Sequence, residues 1–260
     1  MQRTIRLLIS FDGTNYHGWQ RQHNALTVQE VIEQQLAIIC KKPINLHGAG
    51  RTDSGVHALG MVAHFHLDLP IALAAFDKGL NSMLPKDIRI LKAVEERADF
   101  HSRFSALGKT YRYDFFTGEI QTPISRLYAA HFPGFFSLES VNTALDILTG
   151  THDFSSFECA GSRDIYREGG RGAVRTIFKA TCTPHSFYPE FWSISLTGDG
   201  FLRQMARIIA GTSIEIGQRK RDAQSMLEIL QAKDRKAAGL TAPAHGLFLE
   251  QIYYNELFRV

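Results

Sequence analysis

Apolar residues recur along the chain with two periods, one typical of strands and one typical of helices. In residues 4–11, Ile5, Leu7 and Ile9 lie on one face between mostly polar neighbours, which predicts a strand with one buried side. Similar runs predict further strands at residues 61–67, 88–94, 110–116, 174–183, 191–197 and 248–254.

Spacings of three and four residues predict the helices. Thr27 and Glu30 form a capping box, so a helix should begin there and continue to about residue 40, with Val28, Ile32 and Leu36 facing inward. The remaining helices are predicted at residues 71–80, 137–148, 201–216 and 222–230.

The order of these elements divides the chain into two similar halves, residues 1–105 and residues 106–260. Each half contains strands and helices, which predicts an α+β fold of two αβ domains. We expect a central cleft between the halves, because ligands often bind at such places.

Composition limits the class of protein. The 260 residues are 44% hydrophobic and 21% charged, as in an ordinary globular protein, and the formal net charge is only +3. Cys40, Cys159 and Cys182 are too widely spaced for a zinc ribbon or a disulfide framework. No apolar stretch reaches the length of a signal peptide or a membrane span, so we expect a cytoplasmic protein without a membrane partner.

The stretch from residue 47 to residue 58 carries the most chemistry. Its glycines predict a sharply turning backbone, and they enclose Arg51 and Asp53, which an extended chain would project to one side. An ion pair between these two side chains is therefore expected. The alternative from local pattern alone is a structural Asp-Ser-Gly turn braced by a salt bridge.

This stretch, Gly-Ala-Gly-Arg-Thr-Asp-Ser-Gly-Val-His-Ala at residues 48–58, resembles the GxGRTDxGVHA signature of the tRNA pseudouridine synthase A family. Residues 11–20 resemble the family's YDGxxYxGWQ block, with Phe11 in place of the usual tyrosine. Other blocks resembling the family follow in order at residues 100–105, 109–113, 201–207 and 242–247, so the resemblance covers essentially the whole chain.

The resemblance implies the pseudouridine synthase fold with antiparallel sheets, and an isomerase that needs no cofactor and no metal. It also implies a homodimer that converts uridine to pseudouridine in the anticodon stem-loop of tRNA, at tRNA positions 38, 39 and 40. The implied nucleophile is Asp53, with Arg207 as its partner and Arg51 as a further substrate-binding group. A nearby guanidinium favours the ionised carboxylate that such chemistry needs. Whether Asp53 attacks the base or C1′ is left open.

Two further substrate contacts come from the resemblance. Tyr111 is implied to contact the target base, by stacking or through its hydroxyl, and Leu247 to pack on the base. Unaided, the pattern would place both Tyr111 and Tyr113 in a core, since alternating aromatic residues on a strand are usually buried, and we keep that interpretation for Tyr113.

One segment between the predicted strands, residues 160–175, combines glycines with arginines. Such a segment can follow a phosphate backbone, and it can equally be a solvated loop whose charge is offset by Asp164 and Glu168. The candidate RNA-binding residues are Arg163, Arg167, Arg171 and Arg175.

Two other classes of function compete with this interpretation. His64 and His66 form an HxH pair of the kind used by metal-dependent hydrolases, but no partner stands at a recognisable ligand spacing. A sheet with exposed aromatic residues would also suit an RNA-binding module without catalysis, in which Asp53 only braces a loop.

Overall fold

The structure, a computed structural model, describes residues 2–159, 161, 171–185 and 188–255. The chain divides into two compact units: residues 2–107 with residues 248–255, and the described residues from 108 to 247. In chain order the elements are β1 (Arg3–Phe11), α1 (Val28–Cys40), β2 (His47–Gly48), β3 (His57–Leu67), α2 (Lys78–Met83), β4 (Ile88–Glu96), β5 (Gly108–Phe116), β6 (Ala130–His131), α3 (Leu138–Ile147), β7 (Gly150–Asp153), β8 (Val174–Pro184), β9 (Phe191–Gly198), α4 (Met205–Gly217), α5 (Ser225–Ala232) and β10 (Leu247–Tyr253).

The first unit is built on strands in the order β4-β1-β3-β10, with β2 paired to β3. The pairs are antiparallel except β10 with β3, which is parallel. Ile5, Leu7 and Ile9 are fully buried on one face of β1, as the alternating pattern predicts. Helix α1 begins where the capping pattern places it, because the Thr27 side chain accepts a hydrogen bond from the amide of Glu30.

The second unit contains an antiparallel sheet in the order β5-β9-β8-β7, with β6 paired in parallel to β5. Its helices α3, α4 and α5 supply apolar residues to the core, and α4 is buried along most of its length. Helices and largely antiparallel strands in both units confirm the α+β class that the sequence predicts.

Several elements differ from the predictions. Helix α5 begins at Ser225 rather than residue 222, β3 begins at His57 rather than residue 61, and the pattern does not predict β2, β6 and β7. Helix α2 begins at Lys78 rather than residue 71, because Leu73–Ala75 forms a separate 3-10 turn and the Asp77 side chain accepts the Lys78 amide. Helix α4 begins at Met205 rather than residue 201. The order of elements places the last strand in the second half, whereas Phe248 and the residues after it group with the first unit, where Phe248 and Leu249 pair with β3.

Candidate active site

Asp53 lies in the loop between β2 and β3, which we call the Asp53 loop (residues 49–56). The amide of Val56 donates to the carbonyl of Asp53 at 3.2 Å, which closes a turn, and Gly55 in this turn has φ +77°. The Asp53 side chain is half-buried and Arg51 is exposed. The loop therefore leaves the Asp53 side chain partly exposed, close to the start of the buried strand β3.

A second loop (residues 12–19, the N-terminal loop) packs against the Asp53 loop. Gly13 leaves no room for a side chain, since a Cβ there would lie 2.0 Å from the carbonyl oxygen of Val56. The Gly13 amide also donates to Nδ1 of the buried His57 at 3.0 Å. These contacts fix the end of the Asp53 loop where β3 begins.

The same N-terminal loop also holds the Asp53 loop on both sides of Asp53. The carbonyl of Tyr16 accepts the amide of Gly55 at 3.2 Å, and the amide of Trp19 donates to the carbonyl of Thr52 at 3.3 Å. Gly18 has φ +86°, and a Cβ on it would lie 2.3 Å from the Thr52 carbonyl oxygen. The backbone on both sides of Asp53 is therefore held by hydrogen bonds from residues far away in sequence.

The expected ion pair between Arg51 and Asp53 is not formed. Among the residues that the structure describes, the exposed side chain of Arg51 makes no hydrogen bond and no salt bridge. The two side chains are two residues apart, but residues 51–53 belong to no strand, whereas the expectation rested on an extended strand backbone. Arg51 is therefore available to a ligand.

In the second unit, Tyr111 and Tyr113 have different environments. Tyr111 is half-buried and meets the ring of Phe201 edge to face, with ring centroids 4.9 Å apart. Tyr113 is only 1% exposed, and its hydroxyl donates to the carbonyl of Pro243 at 2.9 Å. Burial raises the pKa of Tyr113 well above its ordinary value, while the positive charge of Arg207 opposes that rise. The structure thus places Tyr113 in the core and leaves Tyr111 partly accessible.

Arg207 lies in the first turn of α4, and its Nε donates to the carbonyl of Ala242 at 2.8 Å. The amide of Ala242 donates in return to the carbonyl of Arg207 at 3.1 Å. Leu247, at the start of β10, is buried with 6% of its surface exposed. Within this unit, the segments at residues 109–113, 201–207 and 242–247 are thus joined by hydrogen bonds and ring contacts.

Of the four arginines predicted to bind RNA, Arg163 and Arg167 lie outside the described residues. Arg171 forms an ion pair with Asp199 at 2.5 Å. The Nη1 of Arg175 donates to the carbonyls of Gly172 and Val174. Both described arginines are therefore engaged within the chain.

The HxH pair belongs to a group of packed imidazoles in the first unit. His64 is buried, stacks on His47 at 5.1 Å and lies 4.7 Å from the ring of His101. Burial lowers the pKa of His64 to about 4, and the neighbouring imidazoles add to the effect. Its Nδ1 accepts the amide of Ser102 at 3.2 Å. Within the described residues, no three His, Cys, Asp or Glu side chains are arranged to hold a metal ion.

Comparison with known proteins agrees with this arrangement of motifs. A family model described as tRNA pseudouridine synthase matches residues 7–105 and 144–255. The chain is 51% identical over 252 residues to tRNA pseudouridine synthase A 1 of Desulfotalea psychrophila, an alignment that covers 97% of this chain and 100% of the relative.

Relatives with lower identity to this chain carry a similar name. Identity is 40% to tRNA pseudouridine synthase A of Geotalea uraniireducens, over 97% of this chain and 100% of the relative. It is also 40% to the protein of that name from Ligilactobacillus salivarius, over 98% of each chain. The chain belongs to the tRNA pseudouridine synthase family.

Sequence motifs located the Asp53 loop and the segments that contain Tyr111, Arg207 and Leu247. The motif at residues 11–20 resembles a family block, but it does not show that this block contacts the Asp53 loop. Its contacts with the Asp53 loop depend on backbone groups, for which sequence carries little signal beyond the glycines at positions 13 and 18. Asp87, which bonds to this block, belongs to no motif.

Proposed function

We propose that this protein isomerises uridine to pseudouridine in tRNA, with Asp53 as the nucleophile. The observation that carries the proposal is the Asp53 loop, a match to the family signature whose backbone is held on both sides of Asp53. A reacting group must be held in place, because a displacement of about 1 Å can cost about a hundredfold in rate.

The reaction is an isomerisation and needs no electron donor or acceptor. The bond between C1′ of the ribose and N1 of the base breaks, the base rotates, and C1′ bonds to C5. The proton on C5 is lost to solvent, and N1 gains one. An attacking carboxylate divides this difficult exchange of bonds into easier steps.

The other site residues act as substrate-binding groups in this proposal. The half-buried ring of Tyr111 can contact the base, and its hydroxyl can exchange a proton. Arg207 is proposed as a positively charged substrate-binding group, and Leu247 as a residue that packs on the base. Arg51, which has no partner among the described residues, can bind the phosphate backbone beside the target nucleotide.

The finer features of the function are proposals as well. The substrate region is the anticodon stem-loop, and the target uridine must leave its stack to react, at a cost of a few kcal/mol. The active form is a homodimer in the cytoplasm. Among the described residues, no helix has the length and apolar character needed to cross a membrane.

The test uses tRNA transcripts that carry tritium at C5 of uridine. The protein should release tritium to water, and Asp53→Asn, which keeps the size of the side chain, should reduce the release by about 10⁴-fold or more. The matched control is Asp68→Asn, because the carboxylate of Asp68 is exposed and pairs with Lys42. Retention of substantial activity in Asp53→Asn would falsify the assignment of the nucleophile.

The same assay separates the other functions. A bare RNA-binding module would bind the transcript but release no tritium from it. A metal-dependent hydrolase would lose its activity when a chelator is added, whereas the proposed isomerase should not.

A further inference from the structure

Asp87 holds both ends of a five-residue segment in the N-terminal loop. Its backbone carbonyl accepts the amide of Asp12 at 2.9 Å, and its carboxylate accepts the hydroxyl of Tyr16 at 2.7 Å. Tyr16 is 4% exposed, so this hydrogen bond is largely protected from water. No sequence motif includes Asp87, which lies directly before β4.

Tyr16 also contacts the Asp53 loop from its other side. Its carbonyl accepts the amide of Gly55 at 3.2 Å and the hydroxyl of Ser54 at 3.3 Å. The hydroxyl of Tyr16 therefore donates to Asp87, and its carbonyl accepts hydrogen bonds from the turn that follows Asp53. The hydrogen bond to Asp87 therefore restrains the same residue whose backbone carbonyl accepts both bonds from the Asp53 loop.

The hydroxyl of Tyr16 is suited to a permanent role as donor. Burial and the hydrogen bond to Asp87 raise its pKa well above the ordinary value, so the hydroxyl is protonated at neutral pH. The bond is to a charged acceptor, and such bonds are stronger than those between neutral groups.

We propose that Asp87 is a positioning residue, which acts through Tyr16 to fix the backbone that carries Asp53. This inference deepens the proposed function and rests on it. The competing interpretation is that the bond between Tyr16 and Asp87 only stabilises the first unit, as many buried hydrogen bonds do.

Four variants separate these interpretations. Asp87→Ala and Tyr16→Phe remove the bond, whereas Asp87→Asn keeps an oxygen that can accept it. The matched control is Asn81→Ala, because the Asn81 side chain makes two hydrogen bonds to the backbone of Ile90 on β4 and none to the N-terminal loop.

The first measurement is pseudouridine formation in a single turnover, with the tRNA concentration varied. We expect Asp87→Ala and Tyr16→Phe to reduce the maximal rate by about tenfold while KM changes by less than about twofold, because the nucleophile is misplaced but RNA contacts are kept. Asp87→Asn should regain most of the rate. Asn81→Ala should unfold at lower urea concentration yet react at the parent's rate.

The second measurement is amide hydrogen exchange and does not require activity. In Asp87→Ala and Tyr16→Phe, the amides of Gly55 and Trp19 should exchange about tenfold faster, and in Asn81→Ala they should not. Unchanged exchange of these amides overturns the proposal, and so does faster exchange with an unchanged rate of reaction. If the parent protein forms no pseudouridine, the proposed function fails, and the exchange data still decide whether Asp87 holds the Asp53 loop.

Discussion

Two tyrosines on β5 that are separated by one residue have opposite environments. Tyr113 is buried with its hydroxyl on Pro243, while Tyr111 is half-buried beside Phe201. The strand pattern alone places both rings on one face, so burial of each ring is decided by what covers the strand. The sequence therefore identifies the candidate site residues, but it does not show which of their side chains are buried.

Replacement of each tyrosine by phenylalanine tests this difference. Tyr111→Phe keeps a ring that can stack on the base, so if its hydroxyl transfers a proton, turnover should fall by about 10²-fold or more. Tyr113→Phe should instead reduce the free energy of unfolding by about 1 kcal/mol, through loss of its hydrogen bond, and change turnover little. Tritium release and urea unfolding of both variants check the two expectations. Parent-like turnover in Tyr111→Phe would leave only a packing role for that side chain.

His64 gives a prediction about stability and pH. Its pKa in the folded protein is about 4, against an ordinary value of 6.5, because it is buried and faces His101, His47 and His66. Between these values the unfolded chain binds a proton that the folded protein does not, so the free energy of unfolding should fall as the pH falls. Above pH 6.5, His64 does not lower the free energy of unfolding. Below pH 6.5, it lowers that free energy by at most about 1.4 kcal/mol per pH unit.

Urea unfolding at several pH values between 4.5 and 7 measures this effect. His64→Asn removes the titrating group and keeps an oxygen for the amide of Ser102, so its stability should depend less on pH than that of the parent. The control is His17→Asn, since His17 is exposed. An equal slope in His64→Asn and the parent would assign the pH dependence to other groups, such as His101, whose pKa burial also lowers.

At the scale of elements, strong periodic patterns gave correct predictions, whereas the starts of α2, α4 and α5 were predicted too early. Strand β1 and helix α1 have clear signals, namely an alternation of apolar and mostly polar residues in β1 and a capping threonine before α1. Helix α4 begins four residues later than predicted, because Gln204 adopts a left-handed conformation with φ +63°. Glutamine carries no preference for that conformation, so tertiary contacts must impose it, and the sequence holds no sign of it.

At the scale of the whole molecule, the parts that could not be predicted are those joined by contacts distant in sequence. The pairing of Phe248 with His57 adds the last strand to the first unit. Asp87 accepts the hydrogen bond from Tyr16 across 71 residues of sequence. Neither contact leaves a local pattern. The motifs identify the site residues through their resemblance to a family. The hydrogen bonds that hold those residues in place are visible only in the structure.

Charge distribution over the chain gives the last prediction. The formal net charge is only +3, so RNA affinity has to come from local clusters of cations. Arg171 is paired with Asp199, and Arg175 bonds to backbone carbonyls. These bonds compete with phosphate contacts, so the prediction concerns Arg163 and Arg167, which lie outside the described residues.

Each neutralised phosphate releases condensed counterions, so the logarithm of affinity falls with the logarithm of salt concentration by roughly 0.7 to 0.9 per contact. If Arg163 and Arg167 each bind one phosphate, replacing both with Gln should lower the slope by roughly 1.5. Turnover at saturating tRNA should change far less than affinity, because such contacts position the substrate and do not react with it. Arg171→Gln is the control, since loss of its bond to Asp199 should reduce stability and leave the slope nearly unchanged. Binding titrations across a salt series measure all three proteins, and parallel lines for the parent and the double variant would contradict an RNA contact in this segment.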